Sequence, residues 1–478
     1  MAAFWDLDAA PASTPAVYDE ARRRWFTYGE LQGAADAFAA QLGPTKRLVF
    51  LFADNGFASL AAYLGALRGD HAVFLATSDL DAELGTHLVE TYGPDVIWPA
   101  SRVPPGMPLR RHAVAEVGEL GVLEAGEGAP PLHPDLAVLL STSGTTGSPK
   151  LARLTYRNVQ ANAASIAEYL EQSASERSIT SLPFAYSFGL SVVNSHLLVG
   201  ASLVATNRPV VMADFWKLFR EHGCTSFAGV PFTYQLLERV KFGSSALPTL
   251  RHFTQAGGRL DPERQGRFHK LATEKGWRFY VMYGATEATA RISYVPWRRL
   301  GEKLGSIGIA IPGGRLWIEV EGRAVERAGE VGELVYEGPN VMMGYAESRA
   351  DLAKGDELKG VLKPGDLGYR DADGFFFVTG RKKRFLKIYG LRVNLDEAET
   401  MLEVRLGKPV ACVGRDDLLI AAVEGPSEGD AKAAAALVQE VYKIHKSAVR
   451  GVHLAALART SSGKKIYQQI ARDAGLEG

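Results

Sequence analysis

KRLVFLFADNGFASLAAYLGALRGDHAVFLAT, residues 46–77, is the stretch that decides the fold. It begins with an apolar run typical of a strand buried on both faces. A helical segment follows over residues 56–69, and a second apolar strand follows over residues 71–77. Strands that alternate with helices form a parallel sheet with helices on both of its faces. The stretch therefore predicts an α/β fold.

The same alternation continues along most of the chain. LDAELGTHLVETYG and DVIWPA extend it beyond residue 77, and a further series of strands and helices runs from about residue 155 to the strand RFYVMYG. This repetition predicts doubly wound sheets.

The pattern changes near residue 304, where short β segments broken by glycine replace the alternation. We expect a β-rich subdomain near 304–380, followed by a return to mixed α and β. The predicted domains are 1–381, a large N-terminal α/β domain that includes the β subdomain, and 382–478, a small α+β C-terminal domain.

Composition limits the possible functions. The 478 residues carry 54 basic and 54 acidic side chains, so no basic excess favours binding to nucleic acid or an anionic membrane. No apolar run approaches the ~18 residues of a membrane span. The first residues are acidic where a secretory signal needs basic ones, and Cys224 and Cys412 lie far apart in sequence. We therefore expect a cytoplasmic protein with unpaired thiols.

STSGTTGSPK, residues 141–150, is a glycine and hydroxyl loop that follows an apolar strand and precedes a predicted helix. Backbone N–H groups in such a loop bind anions, and a lysine adds positive charge. The glycine spacing differs from that of the NTPase P-loop. By itself the stretch fits a phosphate-binding loop and a polar surface loop equally well. The candidate phosphate ligands are Ser143, Gly144, Thr145, Thr146, Gly147, Ser148 and Lys150.

YGATEAT, residues 283–289, follows a predicted strand at the sheet edge where doubly wound folds bind ligands. Tyr283 offers an aromatic face for a purine, Thr286 a hydroxyl for a phosphate oxygen, and Glu287 a carboxylate for Mg²⁺. The alternative is a strand end with a core tyrosine and an exposed glutamate.

Two segments nearer the C-terminus add further polar groups. Residues 365–381, GDLGYRDADGFFFVTGR, place Asp366 and Arg381 at the two ends of a predicted hairpin. A carboxylate there accepts ribose hydroxyls, and a guanidinium binds the same sugar or a phosphate. Residues 458–467, ARTSSGKKIY, present Lys464 in a hydroxyl and glycine loop. Taken singly, each of these side chains is more often a solvated surface group.

In this order, the four segments resemble the adenylate-forming superfamily of acyl- and aryl-CoA synthetases, peptide-synthetase adenylation domains and luciferase. The resemblance covers almost the whole chain. It implies two doubly wound sheets and a β subdomain that bind ATP, Mg²⁺ and an acid, with a small mobile C-terminal domain that carries the catalytic lysine. The family's roles would fall on Lys464 and Thr286 for catalysis, Glu287 for Mg²⁺, and Gly257, Gly258, Tyr283, Gly284, Asp366 and Arg381 for the nucleotide.

GRKKRFLK, residues 380–387, has two interpretations. A basic run is typical of a nuclear-localisation or nucleic-acid patch, but basic residues that alternate with apolar ones favour paired strands. The resemblance implies an interdomain hinge at Lys383. It also implies that Lys387 and Gly390 belong to a segment that faces the active site after the domain turns.

The resemblance implies two half-reactions. A carboxylate attacks the α-phosphorus of ATP to give acyl-AMP and pyrophosphate, and a thiol then attacks the activated carbonyl and releases AMP. Lys464 would stabilise the first transition state, and Lys150 with Mg²⁺ would add fixed positive charge. A turn about Lys383 would clear the path of the thiol. Lys465 follows directly, and the family's Gly-Lys order favours Lys464 over it.

Residues 182–198, LPFAYSFGLSVVNSHLL, resemble the segment that borders the acyl pocket and the thiol tunnel. Relatives that activate α-amino acids usually place an aspartate here, whereas this chain has Tyr186, Ser187 and Phe188. An unpaired ammonium in such a pocket is costly, so we expect a carboxylic acid without an α-amino group. Phe232, in another pocket segment, fits a core position equally well.

The sequence leaves the acceptor open. No carrier domain follows the lysine loop, so we expect the acceptor in trans. Many CoA ligases have a histidine where Tyr186 stands, which favours the phosphopantetheine thiol of a separate acyl carrier protein over free CoA. An amine acceptor is a smaller alternative. The other classes are a P-loop phosphotransferase, which the loop spacing disfavours, and a silent nucleotide-binding protein, which the complete set of reacting groups disfavours.

Overall fold

The fold is described from a computed structural model over residues 3–123, 130–141, 150–382, 384–389, 391–460 and 463–476. The chain divides into two compact units. The first contains Met1–Leu316 and Tyr336–Leu362, and the second contains Trp317–Val335 and Lys363–Gly478. The predicted domain boundary between residues 381 and 382 stays a prediction.

Both units contain helices, and α2 begins and ends within one residue of the segment 56–69 that the sequence indicates. They are α1 (Tyr28–Leu42), α2 (Phe57–Arg68), α3 (Ala82–Tyr92), α4 (Tyr156–Tyr169), α5 (Ser187–Leu198), α6 (Ala213–Glu221), α7 (Pro231–Arg239), α8 (Pro262–Lys275), α9 (Leu395–Leu406), α10 (Glu428–Tyr442) and α11 (Tyr467–Asp473). Over the described ranges, no helix is long and apolar enough to cross a membrane.

The strands are β1 (Pro15–Asp19), β2 (Arg24–Thr27), β3 (Leu48–Ala53), β4 (Ala72–Thr77), β5 (Val96–Trp98), β6 (Leu109–Val114), β7 (Gly118–Leu123), β8 (Leu136–Ser141), β9 (Leu151–Thr155), β10 (Arg177–Ile179), β11 (Ser202–Ala205), β12 (Ser226–Gly229), β13 (His252–Gln255), β14 (Arg278–Tyr283), β15 (Ser293–Val295), β16 (Ile309–Ala310), β17 (Arg315–Val320), β18 (Arg323–Val325), β19 (Gly332–Glu337), β20 (Gly344–Ala346), β21 (Val361–Leu362), β22 (Asp366–Arg370), β23 (Phe376–Arg381), β24 (Phe385–Ile388), β25 (Leu391–Asn394), β26 (Val410–Arg415), β27 (Leu418–Glu424) and β28 (Val449–Leu454).

The first unit contains two large sheets. One has the order β16-β15-β14-β13-β12-β10-β11-β1-β2, and its strands from β14 to β1 are parallel to their neighbours. The other has the order β20-β9-β8-β4-β3-β5-β7-β6, in which β8, β4, β3 and β5 are parallel. Antiparallel strands complete the edges of both sheets.

Strand β3 shows why this segment forms a sheet covered on both faces. Leu48 and Phe50 lie in one buried cluster with residues of α3, whereas Val49 and Leu51 lie in another with residues of α2. Successive side chains of a strand point to opposite faces, so an unbroken apolar run needs apolar partners on both sides. Each such side chain contributes about 1.5–3 kcal/mol when fully buried. The predicted doubly wound α/β architecture is confirmed.

The second unit joins an antiparallel β region to a small α+β region. Strands β17, β18, β19, β22 and β23 belong to one sheet, and β24 pairs with β25 in a hairpin. Strands β26, β27 and β28 form a separate sheet with apolar clusters on both faces. Residues 380–381 belong to β23 and residues 385–387 to β24, and both strands pair with neighbours, so these described parts of the basic run lie in paired strands as expected.

One local expectation is wrong. The stretch at residues 141–150 does not lead directly into a helix, because β9 follows it and pairs antiparallel with β8. Helix α4 begins only after Thr155, whose hydroxyl accepts a hydrogen bond from the Asn158 N–H while the Asn158 side chain accepts one from the Thr155 N–H. Such a capping box fixes the helix start. In sequence, the loop therefore lies between the antiparallel strands β8 and β9, and β9 separates it from the start of α4.

A buried histidine leads us to expect that acid weakens the first unit. His252 lies on β13, and burial lowers its pKa to about 4, although Glu176 opposes the shift. A histidine of the unfolded chain titrates near about 6.5. Between these values the unfolded chain binds a proton that the folded chain does not, so the free energy of unfolding falls as the pH falls. The slope is at most about 1.4 kcal/mol per pH unit for one such group.

The measurement is urea unfolding at several pH values between 7 and 4.5. The free energy of unfolding should fall less steeply with pH in His252→Asn than in the unsubstituted protein, whatever the absolute stability of the variant. Parallel pH profiles would contradict the role of His252.

Candidate functional site

The predicted site residues are divided between the two units, and part of the set is outside the described residues. The first unit contains the segments around residues 150, 186, 257 and 287, and the second contains Asp366, Arg381 and Lys464. The predicted residues outside the described ranges are Ser143, Gly144, Thr145, Thr146, Gly147, Ser148, Lys383 and Gly390.

Lys150 is the described end of the predicted phosphate loop. Its ammonium lies 2.5 Å from a carboxylate oxygen of Glu347, because β9 and β20 pair with Leu151 opposite Ala346. The side chains are 43% and 59% exposed, and such surface ion pairs contribute about 0–1 kcal/mol. Sequence reasoning missed Glu347, since its partner lies far away in the chain.

The segment 283–289 leaves the edge of the sheet at the end of β14. Four residues of the segment are partly exposed: Tyr283, Gly284, Thr286 and Glu287. Tyr283 therefore does not occupy the core position that the sequence allowed for it. The Tyr345 hydroxyl donates a hydrogen bond of 2.7 Å to Glu287, and the Glu287 carbonyl accepts one from the Met342 N–H. These contacts orient the Glu287 carboxylate and leave accepting capacity on its oxygens.

The backbone after Glu287 is tightly constrained. Thr289 and Ala290 adopt φ values of 54° and 100°, which non-glycine residues rarely do. Gly284 faces this bend closely, since a Cβ at Gly284 would lie 1.8 Å from the Ala290 carbonyl oxygen. Asn340 fastens the bend by donating to the Ala288 and Arg291 carbonyls. Strained backbone held in this way is typical of ligand-binding segments.

The start of α5 contacts this bend. The Ser187 and Thr286 hydroxyls are 3.3 Å apart, so the predicted acyl-pocket segment and the predicted nucleotide segment meet at one hydrogen bond. Ser187 and Thr289 also line a cavity of about 10 Å³. Asn162 lines the same cavity, and its amide nitrogen and oxygen have no hydrogen-bond partner among the described residues. The structure thus brings together polar groups from three separate segments.

Tyr186 has two close neighbours, Gly257 and Arg291. On one side is Gly257, with φ of +81°, where a Cβ would lie 2.5 Å from the Tyr186 hydroxyl. On the other is Arg291, whose charge opposes the rise in the pKa of Tyr186 that burial causes. Gly258 is exposed beside Pro231.

Phe188 and Phe232 have different environments. Phe188 is buried, and its ring faces the guanidinium of Arg291 at 4.1 Å from ring centre to carbon. Phe232, at the start of α7, is 42% exposed, so the core position that the sequence allowed for it is wrong.

Asp366 and Arg381 meet across the hairpin of β22 and β23, where they are directly opposite in register. The Arg381 Nε donates to Asp366 at 3.0 Å. The Asp366 side chain is 6% exposed and that of Arg381 is 64% exposed, so the pair presents its guanidinium to solvent. The sequence expectation that both ends of this hairpin come together is confirmed, whereas their role in binding a nucleotide stays a prediction.

The described residues on the two sides of residues 461 and 462 bond to each other beside Lys464. Arg459 pairs with Lys465, the Thr460 N–H donates to the Lys464 carbonyl at 2.8 Å, and the Lys464 N–H donates to the Thr460 hydroxyl at 3.1 Å. Gly463 has φ of +81°, which permits the turn. Lys464 is therefore held by its backbone at the turn.

Lys465 is committed to a buried ionic cluster, which the sequence did not reveal. Its ammonium lies 2.9 Å from Glu399 and 2.9 Å from Glu403, and it also donates to the Val410 carbonyl. Burial opposes the charge, but the two carboxylates outweigh it and raise the pKa of Lys465 above the ordinary lysine value. The Lys465 ammonium is therefore bound to groups of its own unit, and the catalytic role of Lys464 stays a prediction.

The cluster extends to the segment that precedes α9. Arg384 lies 2.6 Å from Asp396 and 2.5 Å from Glu399, and it donates to the Cys412 carbonyl at 2.7 Å. Its guanidinium covers the ring of Tyr467 at 3.6 Å, and the Tyr467 hydroxyl donates to Glu399 at 3.0 Å. We call these side chains the Lys465 network, which comprises Arg384, Asp396, Glu399, Glu403, Lys465 and Tyr467.

Comparison with known proteins adds three kinds of finding. A family model described as AMP-binding enzyme matches residues 4–346. A sulfoacetate–CoA ligase of Cupriavidus necator is 32% identical over 72% of the chain, and a D-alanine–D-alanyl carrier protein ligase of Lactiplantibacillus plantarum is 27% identical over 79% of it. The match spans 65% of the length of the first ligase and 77% of that of the second.

A solved structure has the same overall fold. An o-succinylbenzoate coenzyme A synthetase of Bacillus subtilis, in complex with ATP and magnesium ion, matches 98% of this chain and 99% of its own with a TM-score of 0.76. The sequence identity is 22%.

Proposed function

The chain belongs to the AMP-binding enzyme family, and from this premise we propose that it activates a carboxylic acid with ATP. The products of the first step are acyl-AMP and pyrophosphate, and the acyl group then passes to a thiol. The observation that carries the proposal is the hydrogen bond between Ser187 and Thr286, because it joins an acid-binding segment to a nucleotide-binding one.

ATP and Mg²⁺ are the cofactors of this family, and the described residues fit them. No group of three or more His, Cys, Asp or Glu side chains in the described ranges is placed to hold a metal ion. A magnesium ion that accompanies a nucleotide needs only one or two protein carboxylates, since phosphates and water complete its shell. Glu287, oriented by Tyr345, supplies such a carboxylate. When bound, Mg²⁺ supplies positive charge to the phosphates.

The chemical difficulty of the first step is the approach of two anions. The acid's carboxylate must reach the α-phosphorus of ATP while negative charge accumulates there. Lys150 and Lys464 would supply fixed positive charge at the phosphates and at the reacting carboxylate. Thr286 would donate its hydroxyl hydrogen bond to a phosphate oxygen, and Asp366 with Arg381 would hold the ribose. Groups fixed before the reaction stabilise the transition state without further reorganisation.

The second step needs a different arrangement. If Lys464 fills the path that the thiol requires, the C-terminal domain 382–478 has to turn between the half-reactions, with Lys383 as the hinge. Gly390 belongs to the segment that would then face the active site. The domain roles proposed here are nucleotide and acid binding for residues 1–381 and delivery of Lys464 for residues 382–478.

The acid is proposed to lack an α-amino group. Arg291 lies against Phe188 and interacts with Tyr186, so the pocket segment carries a cation where an ammonium group would need an anion. Like charges in a buried site repel each other strongly. The absence of an aspartate among residues 186–188 supports the same conclusion.

The acceptor is proposed to be the phosphopantetheine thiol of a separate acyl carrier protein, on the strength of Tyr186. Free CoA is the second candidate, because the relative from Cupriavidus necator is named a CoA ligase. The relative from Lactiplantibacillus plantarum is named a carrier protein ligase, which supports the first candidate. Acyl transfer to a purified holo-carrier protein, with the apo form that lacks the thiol as the control, is compared with transfer to CoA and separates the two. An amide formed with an amine acceptor, without thioester formation on either thiol, would favour an amide-forming ligase.

The proposed function is tested by a hydroxylamine screen over a panel of carboxylic acids. Hydroxylamine traps acyl-AMP whatever the natural acceptor, so an acid substrate gives hydroxamate, AMP and pyrophosphate together. Release of ADP would support a phosphotransferase instead. Release of no nucleotide product with any acid would support a silent nucleotide-binding protein.

Gly257→Ala is expected to impair the pocket. The new Cβ would lie 2.5 Å from the Tyr186 hydroxyl, and φ of +81° strains any other residue. We expect kcat/KM for acid activation to fall by about tenfold or more and the free energy of unfolding by about 1–3 kcal/mol. Hydroxamate formation and urea unfolding measure the two effects.

Gly322→Ala is the matched control. Gly322 has φ of +79°, but nothing lies within 4 Å of the Cβ that the substitution adds. It should therefore show the backbone strain, about 1 kcal/mol, without the loss of activity. Equal activity in the two variants would contradict the importance of the contact between Gly257 and Tyr186.

A further inference from the structure

Arg291 is a buried cation, and the described residues supply no anion to pair with it. The residue is 1% exposed, and no carboxylate in the described part of the chain pairs with it. One guanidinium nitrogen donates to the Ala290 carbonyl at 3.2 Å, whereas Nε has no hydrogen-bond partner among the described residues. The neighbours that interact with its charge are the hydroxyls of Tyr169 and Tyr186. Burial lowers the pKa of Arg291 accordingly.

Arg153 shows how the same chain neutralises another buried arginine, whose Nε also has no hydrogen-bond partner among the described residues. It is also fully buried, but its guanidinium lies 2.5 Å from Glu357 and donates to the carbonyls of Lys354, Met343 and Gly355. A buried charge without an opposite charge destabilises a fold by several kcal/mol, of about the size measured when one partner of a buried pair is removed. The burial of Arg291 therefore lowers the stability of the fold, and packing does not explain why the residue is there.

Arg291 lies next to the segment that the proposed function assigns to the acid. Its guanidinium covers the ring of Phe188, and the residue before Phe188 is Ser187, which contacts Thr286. The cation thus lies beside the segment that the proposed function assigns to the acyl group, close to the point where that segment meets the nucleotide segment. A planar guanidinium binds carboxylate, phosphate or sulfonate oxygens through paired N–H groups.

We infer that Arg291 binds a second anionic group of the substrate, so that the acid belongs to the class of compact dianionic acids with a carboxylate or sulfonate besides the reacting carboxylate. This inference rests on the proposed function for the reaction itself. The second anion neutralises the buried cation, and an acid without it leaves the charge unpaired. The site therefore selects dianionic acids over monoanionic acids of the same length.

The test compares matched acids in the hydroxylamine assay. Malonate and propionate form one pair, and succinate and butyrate form a second. In the unsubstituted protein we expect kcat/KM for at least one dianionic acid to exceed that of its monoanionic partner by about 100-fold or more. A buried site strongly rejects a substrate that leaves its polar groups unpaired. In Arg291→Gln this preference should fall below about tenfold, mostly through a loss of activity with the dianionic acid. Arg291→Lys, which keeps the charge, should retain an intermediate preference.

A direct binding measurement keeps the inference separate from the reaction. Calorimetric titration with malonate and succinate, without ATP, should show binding to the unsubstituted protein and none to Arg291→Gln. Urea unfolding should show that Arg291→Gln is at least as stable as the unsubstituted protein, since it removes an unpaired buried charge.

Each outcome tests either the inference about Arg291 or the proposed function. Activation of monoanionic acids with no preference for dianionic ones would overturn the inference and leave the proposed function standing. An equal loss of activity with both classes in Arg291→Gln, accompanied by lower stability, would also overturn it and assign Arg291 to packing. Binding of a dianionic acid that depends on Arg291, without hydroxamate from any acid, would support the inference and overturn the proposed function.

Discussion

Lys464→Ala is expected to abolish most of the first half-reaction. Formation of pyrophosphate that depends on acid and ATP should fall about 100- to 1,000-fold, because a fixed charge at a developing anion is worth about 3–4 kcal/mol. Thioester formation from supplied acyl-AMP should remain within about threefold of the unsubstituted rate, since that step does not use the ammonium group. The two rates are measured separately, with the best acid from the hydroxylamine screen.

Lys432→Ala is the control for the loss of one positive charge from the same unit. Lys432 lies on α10 and is exposed. It should leave both half-reactions unchanged. An equal loss of both half-reactions in Lys464→Ala would contradict the role proposed for Lys464.

Lys465→Met is expected to destabilise the second unit rather than change the chemistry directly. The substitution leaves Glu399, which is 7% exposed, and Glu403 without their shared cation. Removing one partner of a buried ion pair lowers the free energy of unfolding by about 3–5 kcal/mol. Because the pKa of Lys465 is raised, the pair's contribution is complete at neutral pH and is lost only when the pH rises above the ordinary lysine range.

The measurement is hydrogen exchange of the amides in α9 and β26, which should become faster in Lys465→Met. Lys408→Met is the matched control, since Lys408 pairs with Asp430 at side-chain exposures of 38% and 28%. A more exposed pair should contribute less than about 1 kcal/mol. Equal protection losses in the two variants would show that the Lys465 network does not stabilise the unit.

The fold was predictable where local patterns carry the information. The apolar run of β3 predicts burial on both faces, and the structure places α2 on one face and α3 on the other. The helix expected from about residue 155 begins at Tyr156, but the strand β9 before it was missed. The pairing of β9 with β8 and β20 decides its structure, and pairing with a strand as distant as β20 leaves no local signal.

The candidate site was predictable only in the residues that form continuous motifs. Glu287 and Lys464 stand in recognisable segments, but Tyr345, which orients Glu287, lies in a separate strand. The family's Gly-Lys order favours Lys464 over Lys465, but the ion pairs of Lys465 with Glu399 and Glu403 on α9 left no signal in the sequence. Arg291 was missed for a similar reason, since an arginine in a polar stretch usually faces solvent.

The Lys465 network has a consequence for natural variation. Arg384, Glu399 and Lys465 interact in one buried cluster, so the effect of a substitution at one of these positions depends on the residues at the other two. Loss of one charge is deleterious alone and tolerated when its partner is lost as well. We therefore expect these positions to covary among orthologues, with ionic sets and apolar sets both represented and mixed sets rare.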